Sequence, residues 1–133
     1  MSRLMSVAFT EQAVRDRTKT VTRRAGWWED KNGRRLIKPG DRLTLCRKVM
    51  GRKKGEPLVR ICDVEVVDLR REPLVELIYT NTDYGEREME REGFPGMDPF
   101  DFVREYFTRA QGIHLMDDVT RIEWRYLDGR AES

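Results

Sequence analysis

The chain has 133 residues, 38% of them apolar and 38% charged, with a formal net charge of +2. Three Trp, four Tyr and five Phe argue against disorder, the near balance of charge argues against a uniformly basic nucleic-acid binder, and two Cys with one His exclude a disulfide scaffold and a four-thiolate zinc site. No apolar run reaches the roughly 18 residues of a membrane span, and MSRLMSVAFT lacks the pattern of a secretory signal, so the expectation is a cytoplasmic protein with reduced thiols and no membrane partner.

Residues 5–9, MSVAF, predict a short strand. Thr10 stands in an N-cap position, with Glu11 in the first turn of a helix to about Arg17. Residues 18–24, TKTVTRR, read as a loop running into a strand, and Asn32-Gly33 and Pro39-Gly40 are turn signals. In 41–49, Leu43, Leu45 and Val49 share strand parity, and GRKKGEP at 51–57 is a charged hairpin loop. Residues 58–69 form a long strand in which Val59 and Ile61 have one parity and Cys62, Val64 and Val66 the other; that switch predicts a bulge. Pro73 opens a helix through REPLVELIY with Leu74, Leu77 and Ile78 inward. GEREMEREG (85–93) is a charged helix ending at Gly93. Asp98-Pro99-Phe100-Asp101 supplies an N-cap, an N1 proline and an acidic N3. Phe100, Val103, Phe107 and Ala110 then make one helical stripe, with Gly112 as C-cap. In 119–127, Ile122, Trp124 and Tyr126 alternate with Arg121, Glu123 and Arg125, as in a closing strand. The order β-α-β-β-β-α-α-α-β predicts one mixed α+β domain, with its core over about residues 5–127 and a small barrel at its centre.

Lys19-Thr20-Val21-Thr22-Arg23-Arg24 is the first candidate for chemistry. On a strand, Thr20, Thr22 and Arg24 point one way and Val21 and Arg23 the other, while Lys19, ahead of the strand, is free to turn back. A Lys beside a Thr hydroxyl supplies a base and a nucleophile once burial lowers the Lys pKa. Arg24 offers a planar fork for a carbonyl, carboxylate or phosphate. The same run also reads as a solvated basic strand edge. Trp27-Trp28 on a turn offers a ring for base stacking, or two packed aromatics. Basic residues crowd the first 54 positions and acids concentrate in 56–133, which points to a polyanion or nucleotide unless the charges balance in three dimensions. Glu92, beside Gly93 and Phe94, carries no signal of its own, and His114, Cys46 and Cys62 read as packing residues.

Taken together, KTVTRR, the tryptophans, KPGDRL, EGF and the closing IEW strand resemble the ASCH domain family of the PUA-like superfamily, over about Val7 to Tyr126. The KT-x-TRR form looks especially like the small ASCH proteins of bacteriophage and bacterial genomes. The resemblance implies a PUA-like β-barrel flanked by helices, with a cleft at the first helix–strand junction where RNA or a nucleoside binds. A small bacterial member of the family hydrolyses N4-acetylcytidine to cytidine and acetate, using a Lys, a Thr three residues later and a Glu from a later helix. Carried onto this chain, the resemblance implies Lys19, Thr22 and Glu92 as catalytic residues and matches Arg24 to the family arginine. Lys19 would take the Thr22 proton, Thr22 would attack the acyl carbon, and Arg24 or backbone N–H groups would hold the oxyanion. Glu92 would orient Lys19 or handle the proton of the leaving amine. Arg23, Arg24, Trp27 and Trp28 would bind substrate, with no metal or cofactor and a monomer as the default state. Two departures stand out: Asp16-Arg17-Thr18 replaces the family glycine before the Lys, and the loop from Ala25 to Lys38 is longer. The alternative is a binding module, with a base on Trp27 or Trp28 and an RNA or DNA phosphate on Arg23 or Arg24; a ribonuclease is the third reading.

Overall fold

Alternation of apolar side chains along the strands, interrupted by two bulges, organises the fold of this computed structural model, which describes residues 2–79 and 82–128. Five strands, β1 (Arg3–Ser6), β2 (Val21–Arg24), β3 (Arg42–Cys46), β4 (Arg60–Pro73) and β5 (Asp118–Tyr126), form one curled sheet in the order β1-β3-β4-β5-β2. β1 runs parallel to β3, and every other pairing is antiparallel. Three helices complete a mixed α+β fold: α1 (Glu11–Arg15), α2 (Tyr84–Glu92), and α3 (Pro99–Val103), which continues with π-helical geometry over Arg104–Arg109. Among the described residues no helix is long and apolar enough to cross a membrane.

The parity switch in β4 has the expected origin. Leu45 faces Cys62 but Cys46 faces Arg60, so Ile61 is the extra residue opposite β3. A second bulge leaves Val67 between the Val66–Trp124 and Asp68–Glu123 pairs. Together the bulges bend the long strand and curl the sheet, as bulges do. One apolar cluster fills its concave side from Met5, Leu43, Leu45, Val64, Val66, Ile122, Trp124 and Tyr126. A second, with Leu74, Leu77, Met89, Phe102, Val103 and Phe107, joins α2 and α3.

Four expectations about elements need correction. The first strand ends at Ser6 rather than reaching Phe9, because Val7 N–H donates to Cys46 O and the chain then turns through a 3-10 segment, Ala8–Thr10. Thr10 caps nothing with its side chain; it is buried and packs beside Gly93. No long helix begins at Pro73. That residue stays in the ladder opposite Asp118, and hydrogen bonds from Leu74 N–H to Asp117 O and from Val75 N–H to Leu115 O restrict the segment to one 3-10 turn, Leu74–Leu77. In the third helix the buried set is Phe102, Val103 and Phe107, with Phe100 half exposed and Ala110 exposed, because the helix packs on the second cluster through the 102/103/107 face. The Asp98 cap is as expected: its carboxylate accepts from Asp101 N–H at 3.1 Å, ahead of Pro99.

α2 is the element that positions the site. Its reading as a charged helix omits that one face is buried: Gly85, Glu88, Met89 and Glu92. Gly85 is required by contact, since a Cβ there would lie 2.1 Å from Leu77 O. Gly93 ends the helix at φ 94°, the left-handed conformation that glycine adopts without steric cost.

Candidate functional site

Lys19 reaches its place through a tightly specified turn. Arg17 takes φ 65° and donates to Val14 O, so a non-glycine residue holds the left-handed conformation just before the Lys. Lys19 N–H donates to Ala13 O, and Lys19 O accepts from Trp124 Nε1 at 3.1 Å and from the Tyr126 hydroxyl. The residue is 2% exposed. Its ammonium donates to Val21 O at 2.8 Å, Glu92 O at 2.6 Å and Glu92 Oε1 at 3.4 Å. Burial is the largest influence on this group. It pushes the Lys19 pKa down to about 8, against the opposing charge of Glu92 and with help from the neighbouring Arg24.

Behind Lys19 lies a buried ion network. Arg23 and Arg121 are cross-strand partners on β2 and β5, so their side chains share the face that α2 covers. Arg23 donates to Glu92 Oε2 at 2.9 Å, Glu72 Oε2 at 2.8 Å, the Tyr84 hydroxyl at 3.1 Å and Glu88. Arg121 forks onto Glu88 at 2.6 and 3.1 Å. Lys19, Arg23 and Arg121 thus face Glu72, Glu88 and Glu92, and the buried charges cancel. Burial pushes the Glu88 carboxyl up, but Arg121 and Arg23 outweigh it and hold the pKa near 2. Arg23 and Arg121 are both shifted upward by these glutamates despite their burial.

Lys19, Thr22, Arg23, Arg24 and Glu92 line one cavity of about 190 Å³. It opens where the two sheet edges approach each other, and Arg24 on β2 donates across that gap to Ser6 O at the end of β1. Ser6 to Thr10 form one wall. Phe94, Phe102, Tyr106 and Phe107 form an aromatic wall in which Phe94 and Tyr106 have centroids 5.0 Å apart. Phe9, 80% exposed, stands at the rim with its ring tilted against Tyr106, centroids 5.5 Å apart. Neither Trp27 nor Trp28 lines this cavity. Trp27, at φ 66°, packs on the core of the sheet, and Trp28 is covered by the Arg35 guanidinium 3.5 Å from its ring centroid. Among the described residues no hydrogen bond joins Lys19 Nζ to the Thr22 hydroxyl, and no group of three or more His, Cys, Asp or Glu side chains gathers to hold a metal. No protein-family model, curated protein or solved structure matches the chain.

Sequence reasoning left out the network residues Arg121, Glu88, Glu72 and Tyr84, and the aromatic wall apart from Phe94. The one signal for Glu88 is its position four residues before Glu92, which puts both carboxylates on one helix face.

Proposed function

We propose that this chain is an ASCH-type protein with a PUA-like fold that hydrolyses the N4-acyl amide of cytidine, free or within RNA, without a metal. The observation that carries the reading is a buried lysine of lowered pKa, a carboxylate and a threonine hydroxyl lining one cavity with aromatic rings. At pH 7 a pKa of about 8 leaves about a tenth of Lys19 as the neutral amine a general base requires. The amine takes the Thr22 hydroxyl proton as Thr22 Oγ bonds to the acyl carbon. The C–N bond then breaks, the Lys19 proton passes to the departing exocyclic amine, and a water molecule hydrolyses the threonyl ester with Lys19 again as base. Ala8 and Phe9 line the same cavity at the start of the 3-10 segment, and their backbone N–H groups are the donors for the oxyanion. Glu92 orients Lys19, and the aromatic wall takes the base, a contact that contributes about 1–3 kcal/mol in stacked complexes.

The second reading is a module that binds a modified base without turning it over. It is favoured by the saturation of the ammonium, whose three protons are already accepted by Val21 O, Glu92 O and Glu92 Oε1. Chromatographic assay of N4-acetylcytidine separates the two. Turnover that falls by about a hundredfold or more in both Lys19→Ala and Thr22→Ala sustains the enzyme. Binding of N4-acetylcytidine with no turnover by folded wild-type protein assigns the module.

A further inference from the structure

Arg24 is the cation in this cavity that no carboxylate answers. Lys19, Arg23 and Arg121 are matched by Glu72, Glu88 and Glu92, whereas Arg24 has one hydrogen bond, to the backbone oxygen of Ser6, and no ion pair among the described residues. Glu92, the one acidic residue of the cavity wall, already serves Lys19 and Arg23. The unused N–H donors of Arg24 are not sealed in protein: the buried side-chain nitrogen left without a partner is Nε of Arg23. Arg24 is partly exposed and lines the cavity. Burial pushes the Arg24 pKa down, and the charge of Glu92 only partly offsets it, yet a guanidinium stays protonated at any working pH. A partly desolvated, unmatched guanidinium is costly in the empty protein and favours an incoming oxyanion through charge-assisted, bidentate hydrogen bonds.

We propose that the cavity takes a substrate bearing an oxyanion, carboxylate or phosphate, which pairs with Arg24 while the scissile amide faces Thr22. Thr22 and Arg24 share one face of β2 two residues apart, a separation of about 7 Å along the strand. The anion therefore belongs to the same small molecule as the amide, either at the end of the acyl chain or on the nucleotide. The identity of the reaction rests on the amidohydrolase reading above, whereas the anion site rests on Arg24 and the cavity.

The test compares kcat/KM for N4-acetylcytidine, N4-acetylcytidine 5′-monophosphate and N4-succinylcytidine in wild type, Arg24→Met and Arg24→Lys. Wild type is expected to favour one anionic substrate over the neutral one by about tenfold or more. That ratio should fall to about one in Arg24→Met and to an intermediate value in Arg24→Lys, which also reports on the charge if Arg24→Met does not fold. Preference for the phosphate or for the carboxylate names the source of the anion. A wild-type ratio of about one or less for both anions, or a ratio that survives in Arg24→Met, overturns the proposal. If none of the three is hydrolysed, the amidohydrolase reading has failed and calorimetric titration of cytidine 5′-monophosphate and of succinate decides the anion site. Binding at least about tenfold weaker in both Arg24 variants than in wild type, or in Arg24→Met alone, sustains the site, and equal binding removes it.

Discussion

Lys19 sits where an ammonium is hard to keep, enclosed at 2% exposure with Glu92 as its one ion-pair partner among the described residues. Its ordinary pKa of 10.5 falls to about 8, and only the neutral amine can accept the Thr22 proton. The rate must therefore rise with pH: kcat/KM for N4-acetylcytidine should climb about tenfold per pH unit below about 8 and level off above it. A profile flat from pH 6.5 to 9 would remove Lys19 as the base. Because the charge of Glu92 raises the Lys19 pKa, Glu92→Gln should move the inflection to lower pH while reducing the plateau. A purely structural Glu92 would lower activity without moving the inflection.

At the scale of elements, α2 docks through buried charges, Glu88 and Glu92, as well as through the apolar Met89. Glu88 is fully buried and accepts from Arg23, Arg121 and Arg91. Breaking such a network from one side leaves uncompensated buried guanidinium groups, so Glu88→Gln should destabilise the protein by about 3–5 kcal/mol in urea unfolding at pH 7. Replacing both partners, Glu88→Met with Arg121→Met, should recover part of that loss, because Arg121 is then no longer left as a buried guanidinium without its carboxylate. A loss below about 1 kcal/mol for Glu88→Gln would mean the network behaves like a surface pair. The pH dependence follows from the same group. The folded pKa of Glu88 is near 2 and its ordinary value is 4.5, so its stabilisation is complete above about 4.5 and is lost as pH falls toward 2. The Gln variant should show a shallower acid limb over that window.

For the molecule as a whole, the decisive feature is that one sheet serves two apolar clusters. Leu43 belongs to the cluster in the curl of the sheet, and Leu77 to the cluster shared with α2 and α3; both side chains are essentially inaccessible. Leu43→Ala and Leu77→Ala should each cost about 2–5 kcal/mol and shift the same single thermal transition. Two resolved transitions in Leu77→Ala would show that the helical layer unfolds by itself. A cooperative layer matters for the site, because Lys19, Thr22 and Arg24 come from the sheet side and Glu92 and the aromatic wall from the helical side.

The parities of Leu43 with Leu45 and of Ile122, Trp124 and Tyr126, the bulge at Ile61, the Asp98 cap and the left-handed Gly93 were legible in the chain, because each depends on neighbours within a few residues, whereas Val49 falls beyond the end of β3. So was the clustering of Lys19, Thr22 and Arg24, which one short strand and the turn before it bring together. The burial of Glu88 and Arg121 was not. A run such as EREMERE has the composition of a solvated helix, and nothing local says that two arginines on different strands will stand beneath it. The fate of the tryptophans was hidden for the same reason: whether a ring on a turn stacks on a ligand, on Arg35 or on the core depends on what the folded chain places opposite it. Local sequence thus determined most of the strands, the turns that end the helices, and the first half of the site. Only the tertiary structure decided which charges are matched, and so that Arg24, alone among the cations lining the cavity, has no ion pair among the described residues.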